Sequence, residues 1–212
     1  CEPRSLTLMA GPIDCRINPT TVNKLATDHP IEWFKSNLIS TVPFPLPGWG
    51  RRVYPGFMQL AAFVSMNPER HLDAHKSLFR HLVEGEDDEA EKIKTFYDEY
   101  FAVLDLTEEF YLETVAWVFQ EMRLPLGRLK HHGEPVDCSK ITRTAILTVE
   151  GERDDICSVG QTAAVHDLAT KLRPHLRHHH LQPGVGHYGV FSGRKWENQI
   201  YPTVRSVILS ME

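Results

Sequence analysis

Three short apolar runs punctuate the chain, and each is stopped by glycine or proline. Ser5-Leu6-Thr7-Leu8-Met9-Ala10 ends at Gly11-Pro12, and Thr144-Ala145-Ile146-Leu147-Thr148-Val149-Glu150 closes on Gly151. A weaker run, His178 to Gln182, closes on Pro183-Gly184. Runs of this length predict buried strands ending in turns, within a sheet covered by helices on both faces. Between the second and third runs, Gly160 to Leu172 places Ala163, Ala164, Leu168, Ala169 and Leu172 on one helical face. After the third, Tyr201 to Met211 does the same with Val204, Val207, Ile208 and Met211. Alternating strand and helix predicts a doubly wound, mostly parallel sheet.

Residues 19–130 break the pattern. They hold a proline- and aromatic-rich stretch, Val42-Pro43-Phe44-Pro45-Leu46-Pro47-Gly48-Trp49-Gly50. Asn67 followed by Pro68 reads as an N-cap and first helical residue, opening a helix to about Val83. Gly85 and the acidic residues to Glu91 read as a solvated junction, and Glu91 to Glu121 as a long helical stretch carrying aromatic residues. No strand signal is visible here. The expected organisation is a core strand and loop over 1–18, a helical cap inserted over 19–130, and C-terminal core strands and helices over 131–212.

Composition narrows the function classes. A net charge of −5 and no clustered basic face argue against nucleic-acid binding. No apolar run reaches the length of a transmembrane helix, and no signal peptide is visible. Cys1, Cys15, Cys138 and Cys157 have no CxxC spacing, so reduced thiols in a cytoplasmic protein are expected. The opening Cys1-Glu2-Pro3-Arg4 reads as the interior of a longer polypeptide.

Two loops carry the candidate chemistry. Glu152-Arg153-Asp154-Asp155 follows the second strand, and Gly184-Val185-Gly186-His187-Tyr188-Gly189 follows the third. Sites in doubly wound sheets are built beyond the C-terminal strand ends. Adjacent strands end side by side, which brings an acid next to His187, the glycines leaving the imidazole uncrowded. A carboxylate on Nδ1–H fixes the tautomer that lets Nε2 act as a base, and acid before histidine is the α/β-hydrolase order. Asp154, three residues past Gly151, is the expected acid; Asp155 is the alternative, or caps the helix that follows. No Ser or Cys has glycine at both flanking positions of a Gly-x-Ser-x-Gly elbow, so the nucleophile is expected upstream of this chain, with the N-terminal half of the fold.

Other clusters are weaker. His71 and His75 have helical ligand spacing but no third ligand. His178-His179-His180 alternates across a strand and cannot hold one ion. His131-His132 reads as a surface loop. No metal or cofactor is expected.

Six segments together resemble the intracellular polyhydroxyalkanoate depolymerases: Leu8-Met9-Ala10-Gly11-Pro12-Ile13-Asp14, Asn18-Pro19-Thr20, Val42-Pro43-Phe44-Pro45, Tyr54-Pro55-Gly56-Phe57, Thr148-Val149-Glu150-Gly151-Glu152 and Gln182-Pro183-Gly184-Val185-Gly186-His187-Tyr188-Gly189-Val190-Phe191. The likeness runs over the chain as that family's C-terminal domain. It implies an α/β-hydrolase fold with a helical lid. It also implies a Cys nucleophile upstream, with the acid at Asp154 and the base at His187; Cys1 is not placed in the nucleophile role. It further implies hydrolysis of stored poly(3-hydroxybutyrate) or a close relative. The partners implied are the polymer granule surface and hydroxyacyl oligomers, in the cytoplasm, with a homo-oligomer compatible. An esterase or thioesterase on small acyl substrates, or a non-catalytic granule-binding protein, are the rival expectations. The strip Phe44 to Phe57 is expected either to contact polyester or to pack within the lid.

Overall fold

A computed structural model of the chain describes residues 2–211. In order, the elements are β1 (Ser5–Met9), α1 (Thr21–Asp28), α2 (Ile31–Leu38), β2 (Ser40–Thr41), β3 (Arg52–Tyr54), α3 (Gly56–Met66), α4 (Pro68–Glu84), α5 (Asp87–Phe101), β4 (Leu106–Thr107), α6 (Glu108–Thr114), β5 (Lys130–His131), β6 (Glu134–Pro135), β7 (Ala145–Gly151), α7 (Val165–Leu168), β8 (Arg177–Gln182), α8 (Gly193–Lys195) and α9 (Tyr201–Leu209). A π-helical turn, Val115–Gln120, follows α6, and a second, Trp196–Ile200, joins α8 to α9. The chain forms two compact units: Ile31–Leu112, and the described residues before and after it.

The second of these units is built on a parallel sheet in the order β1-β7-β8. β7 lies in the middle, paired Ser5↔Ala145 through Met9↔Val149 on one side and Ile146↔Arg177 through Gly151↔Gln182 on the other. All seven of its positions are buried, whereas the five of β1 are only half-buried, less than its apolar run predicts. Alternation along β7 sends Leu147 and Val149 to one face, where they pack with Val185, Val190, Ile200 and Val207. Ile146 faces the other way, against Val165, Ala169 and Leu172. Thr148 and Glu150 share that second face and are fully buried, so each must find hydrogen-bond partners inside the protein. Thr148 Oγ1 meets His166 Nε2 at 3.0 Å and His179 Nδ1 at 2.9 Å.

The helix expected from Gly160 to Leu172 contracts to the four residues of α7. Two side chains account for this. Glu150 accepts from the amides of Gly160, Thr162 and Ala163, which holds them in turns. Arg177 donates to the carbonyls of His166, Ala169, Thr170 and Leu172, which takes the acceptors a longer helix needs. α9 turns Val207 inward as expected but leaves Ile208 exposed.

In the unit Ile31–Leu112, inside the expected 19–130 insertion, α4 begins and ends as its sequence predicts. The Asn67 side chain accepts from Arg70 N at 3.4 Å, Pro68 is the first residue, and Gly85 closes it in the left-handed region at φ 74°. The absence of strands from this block is corrected: β2, β3 and β4 form a small antiparallel sheet, Ser40↔Val53 and Val53↔Thr107. Strands of two or three residues are too short to show a period of two. β4 also ends the helix expected to run unbroken from Glu91 to Glu121: α5 stops at Phe101, and the Asp105 carboxylate takes the Gly56 amide at 2.7 Å. Glu108, at the start of α6, is held by Arg52 and Lys35.

The proline-rich strip divides. Val53 and Tyr54 are buried, Tyr54 against Tyr111, while Phe44, Leu46, Trp49 and Phe57 are exposed, Phe44 edge-on to Trp49 at 5.6 Å. Among the described residues no helix is long and apolar enough to cross a membrane.

Candidate active site

β7 and β8 deliver Asp154 and His187 to one place. The two loops that leave these strands are joined by their backbones: Glu152 N donates to Gln182 O at 3.0 Å and Arg153 N to Val185 O at 2.9 Å. The Glu152 carboxylate in turn accepts from Gly184 N at 2.7 Å. Such close approach is possible only because the strand ends in glycine. A Cβ on Gly151 would lie 2.9 Å from Val185 O, 3.1 Å from Val190 Cγ2 and 3.3 Å from Gly186 O. Gly184, at φ 68°, supplies the left-handed residue that starts the turn toward His187. Val190, buried in the core, anchors its far end.

Within this frame Asp154 is buried and its two oxygens have separate duties. Oδ1 accepts from the amides of Ile156 (2.9 Å) and Cys157 (2.8 Å), closing the loop on itself. Oδ2 lies 2.9 Å from His187 Nδ1. The amides fix the carboxylate's rotation, and the carboxylate fixes the imidazole's: Nδ1 carries the proton it donates, leaving the Nε2 lone pair free to take one. Asp155 is exposed and contributes no contact of this kind. The imidazole is less open than its neighbouring glycines predict, since Tyr188 and Phe191 stand edge-on to it at 5.9 and 5.7 Å.

The described cysteines are free thiols. Cys157 points at Thr162 Oγ1, 3.5 Å away, and burial pushes its thiol up to about 12. Burial likewise holds Cys15 at about 11. Both are therefore protonated near neutrality, the unreactive form. Cys1 lies outside the described residues.

Several of the other histidines are engaged elsewhere. His71 Nδ1 meets Tyr97 OH at 2.9 Å, which ties α4 to α5, and His75 Nδ1 meets His71 O at 2.8 Å within α4. His179 bonds Thr148, and His180 Nε2 meets Gln182 Oε1 at 2.9 Å. His131 and His132 sit exposed at the β5–β6 hairpin. Among the described residues, His81, Glu84 and Glu86 bring ligand atoms within 4.8 Å of one another at the acidic α4–α5 junction. His81 Nδ1 there is spent on Glu86 at 2.5 Å.

Sequence reasoning missed two supports of the site, Glu150 and the stitching of Asn18 and Gln161, and it also missed the buried Asp14. Asn18 Nδ2 donates to Val159 O at 2.9 Å, and Gln161 Nε2 donates to Ile17 O and to Asn23 Oδ1. Asp14 accepts the Arg16 guanidinium at 2.8 and 2.6 Å, a hydrogen bond that holds its carboxyl below the usual carboxylate range. A signal for Glu150 existed: it falls on the same strand face as Ile146, which is buried. A carboxylate there has to be satisfied internally.

Comparison with curated proteins gives no match, nor does comparison with solved structures. A family model does match, described as PHB de-polymerase C-terminus, over residues 10–212. That span takes in β7, β8 and both loops of the Asp154–His187 pair, and the chain belongs to the PHB de-polymerase C-terminus family.

Proposed function

We propose that this chain is the C-terminal part of an intracellular, granule-associated polyhydroxyalkanoate depolymerase, contributing the acid and the base of a Cys- or Ser-His-Asp triad. The observation that carries the reading is the 2.9 Å contact between Asp154 Oδ2 and His187 Nδ1 at the ends of adjacent parallel strands. Nε2 of His187 removes the proton of a thiol or hydroxyl, whose sulfur or oxygen attacks the ester carbonyl. The resulting imidazolium then gives that proton to the departing alkoxide, and the acyl intermediate is released by water through the same histidine. Asp154 keeps the tautomer correct and supports the imidazolium charge.

The nucleophile and the oxyanion hole are assigned to sequence N-terminal to residue 1, in an α/β-hydrolase sheet of which β1, β7 and β8 are the last strands. Two points support this: the elbow motif does not occur in the 212 residues, and the buried Cys157 thiol is turned to Thr162 Oγ1, 3.5 Å away. The unit Ile31–Leu112 is assigned as the lid, and exposed Phe44, Trp49 and Phe57 as its contacts with apolar polyester.

The test is turnover by the full-length protein. His187→Ala lowers hydrolysis of amorphous poly(3-hydroxybutyrate) by several orders of magnitude, roughly the ~10⁴-fold or more seen for triad members. Asp154→Asn costs nearly as much and Asp155→Asn little. Reversed behaviour of the two Asp variants refutes the assignment of the acid. Faster turnover of short p-nitrophenyl esters than of polymer refutes the substrate class while leaving the pair intact.

A further inference from the structure

We infer that Glu150, which lies outside the Asp154–His187 pair, is the positioning residue that sets Asp154 for catalysis; this rests on the triad reading of that pair. The excursion that carries Asp154 leaves β7 after Gly151 and returns to the sheet at Gly160. Its first half is fastened to the His187 loop through the backbones of Glu152 and Arg153. Its second half is fastened to β7 by one side chain. Glu150 Oε2 accepts from Gly160 N at 2.9 Å, and Oε1 accepts from Thr162 N at 2.8 Å and Ala163 N at 2.9 Å. Glu150, two positions before the excursion begins, thereby grips its far end and closes it into a ring. Asp154 sits inside that ring, and its Oδ1 is held by two further amides, Ile156 and Cys157.

The chemistry of the clamp requires a carboxylate. Three N–H groups converge on two oxygens, and none of the three offers an acceptor. Glutamine in place of Glu150 keeps one oxygen for Thr162 and Ala163 but turns an NH₂ group toward Gly160 N–H, setting donor against donor. Glu150 is fully buried, and the half-exposed imidazole of His179 lies beside it, with Nε2 3.9 Å from Oε2. A charge kept in such a place is expensive unless hydrogen-bonded, so the three amides explain how it persists. The closed ring explains what it does. Residues 156–159 are also tied to residues 17–20, by Thr20 Oγ1 to Ile156 O, Ser158 Oγ to Ile17 O and Asn18 O, and Asn18 Nδ2 to Val159 O; opening the ring removes their one fastening to β7 and lets the amides that fix the Asp154 carboxylate shift. A displacement of about 1 Å in a catalytic group is enough for a loss of roughly 10²-fold.

The test uses the full-length enzyme, with Glu150→Gln, Glu150→Asp and Asp154→Asn measured in parallel on a soluble 3-hydroxybutyrate oligomer. Glu150→Gln is expected to lower kcat by roughly 10- to 100-fold with KM changed by less than about twofold, since uniform binding is untouched. The downfield proton NMR line of the His187 Nδ1–H bonded to Asp154, assigned by its loss in His187→Ala, should disappear with it. Glu150→Asp, which keeps the charge, should recover part of both. Wild-type kcat in Glu150→Gln, or a loss that only follows the folded fraction while the His187 line stays, overturns the inference. Should Asp154→Asn retain full kcat, the triad reading is what fails, and the His187 line in Glu150→Gln still decides whether Glu150 positions Asp154. If Glu150→Gln does not fold, amide exchange in the wild type decides. The amides bound to Glu150 (Gly160, Thr162, Ala163) and those bound to Asp154 (Ile156, Cys157) should open together; protected Asp154 amides beside freely exchanging Glu150 amides refute it.

Discussion

Gly151→Ala tests whether the site depends on contact between two loops rather than on the two side chains alone. The added methyl carbon would lie 2.9 Å from Val185 O, 3.1 Å from Val190 Cγ2 and 3.3 Å from Gly186 O. Two of these three are backbone oxygens, which cannot rotate away, and Val190 is fully buried. Relief therefore requires the His187 loop to lift from the end of β7 by several tenths of an ångström. Overpacking of this kind costs about 1–3 kcal/mol, and at roughly 2–4 °C per kcal/mol for a chain of this length the melting temperature should fall by about 2–12 °C. The same lift lengthens the 2.9 Å Asp154–His187 contact, so hydrolysis by the full-length protein should fall by roughly 10- to 100-fold at temperatures where it stays folded. Gly11→Ala is the control. Its Cβ would meet only Met9 O, at 3.8 Å, and the change should leave stability within about 0.5 kcal/mol. Calorimetry and turnover on one substrate suffice for both variants. A Gly151→Ala protein that melts and turns over like the wild type shows that the loops do not need this closeness.

Acid should weaken the fold in a defined window. Burial lowers the pKa of both His71 and His166, so folded molecules resist protonation that unfolded chains accept. The stability they contribute is complete above about 6.5, the ordinary histidine value, and is lost as pH falls through the lowered folded-state values; urea midpoints that rise on acidification from pH 7 to 5 contradict this. In the native protein Cys15 and Cys157 should resist alkylation at pH 7.5 and react on unfolding, and prompt labelling of Cys157 would show that its loop opens. Chelators should leave hydrolysis unchanged, because proton transfer through an Asp154–His187 pair needs no metal; parallel loss of stoichiometric zinc and activity would reverse that view.

What the sequence made legible was decided by range. β7 could be read because a centrally buried strand must be apolar at almost every position, and Gly151 marks its end. Asp154 and His187 could be placed together because both count a few residues from the ends of strands that had to be neighbours. α4 was legible through its own caps at Asn67 and Gly85. The remainder depends on partners distant in sequence. α7 is short because Glu150 and Arg177 take the hydrogen bonds a helix needs, and neither effect shows in the apolar spacing of 160–172. α5 ends at Phe101 because Asp105 and β4 answer to residues some fifty positions earlier, Gly56 and Val53. Tyr188 and Phe191 crowd His187 although its glycine neighbours suggested open space.

Arg177 concentrates the order of a whole crossover in one side chain. Four carbonyls between His166 and Leu172 converge on its guanidinium, so the segment has few independent ways to fray: it is docked when the fork is engaged and free when it is not. Lysine keeps the charge but offers three donors from a single point and cannot reach acceptors spread along seven residues. In an Arg177→Lys protein the crossover should behave as a separate low-stability unit, the first place a protease cuts, while β7 beneath it remains closed.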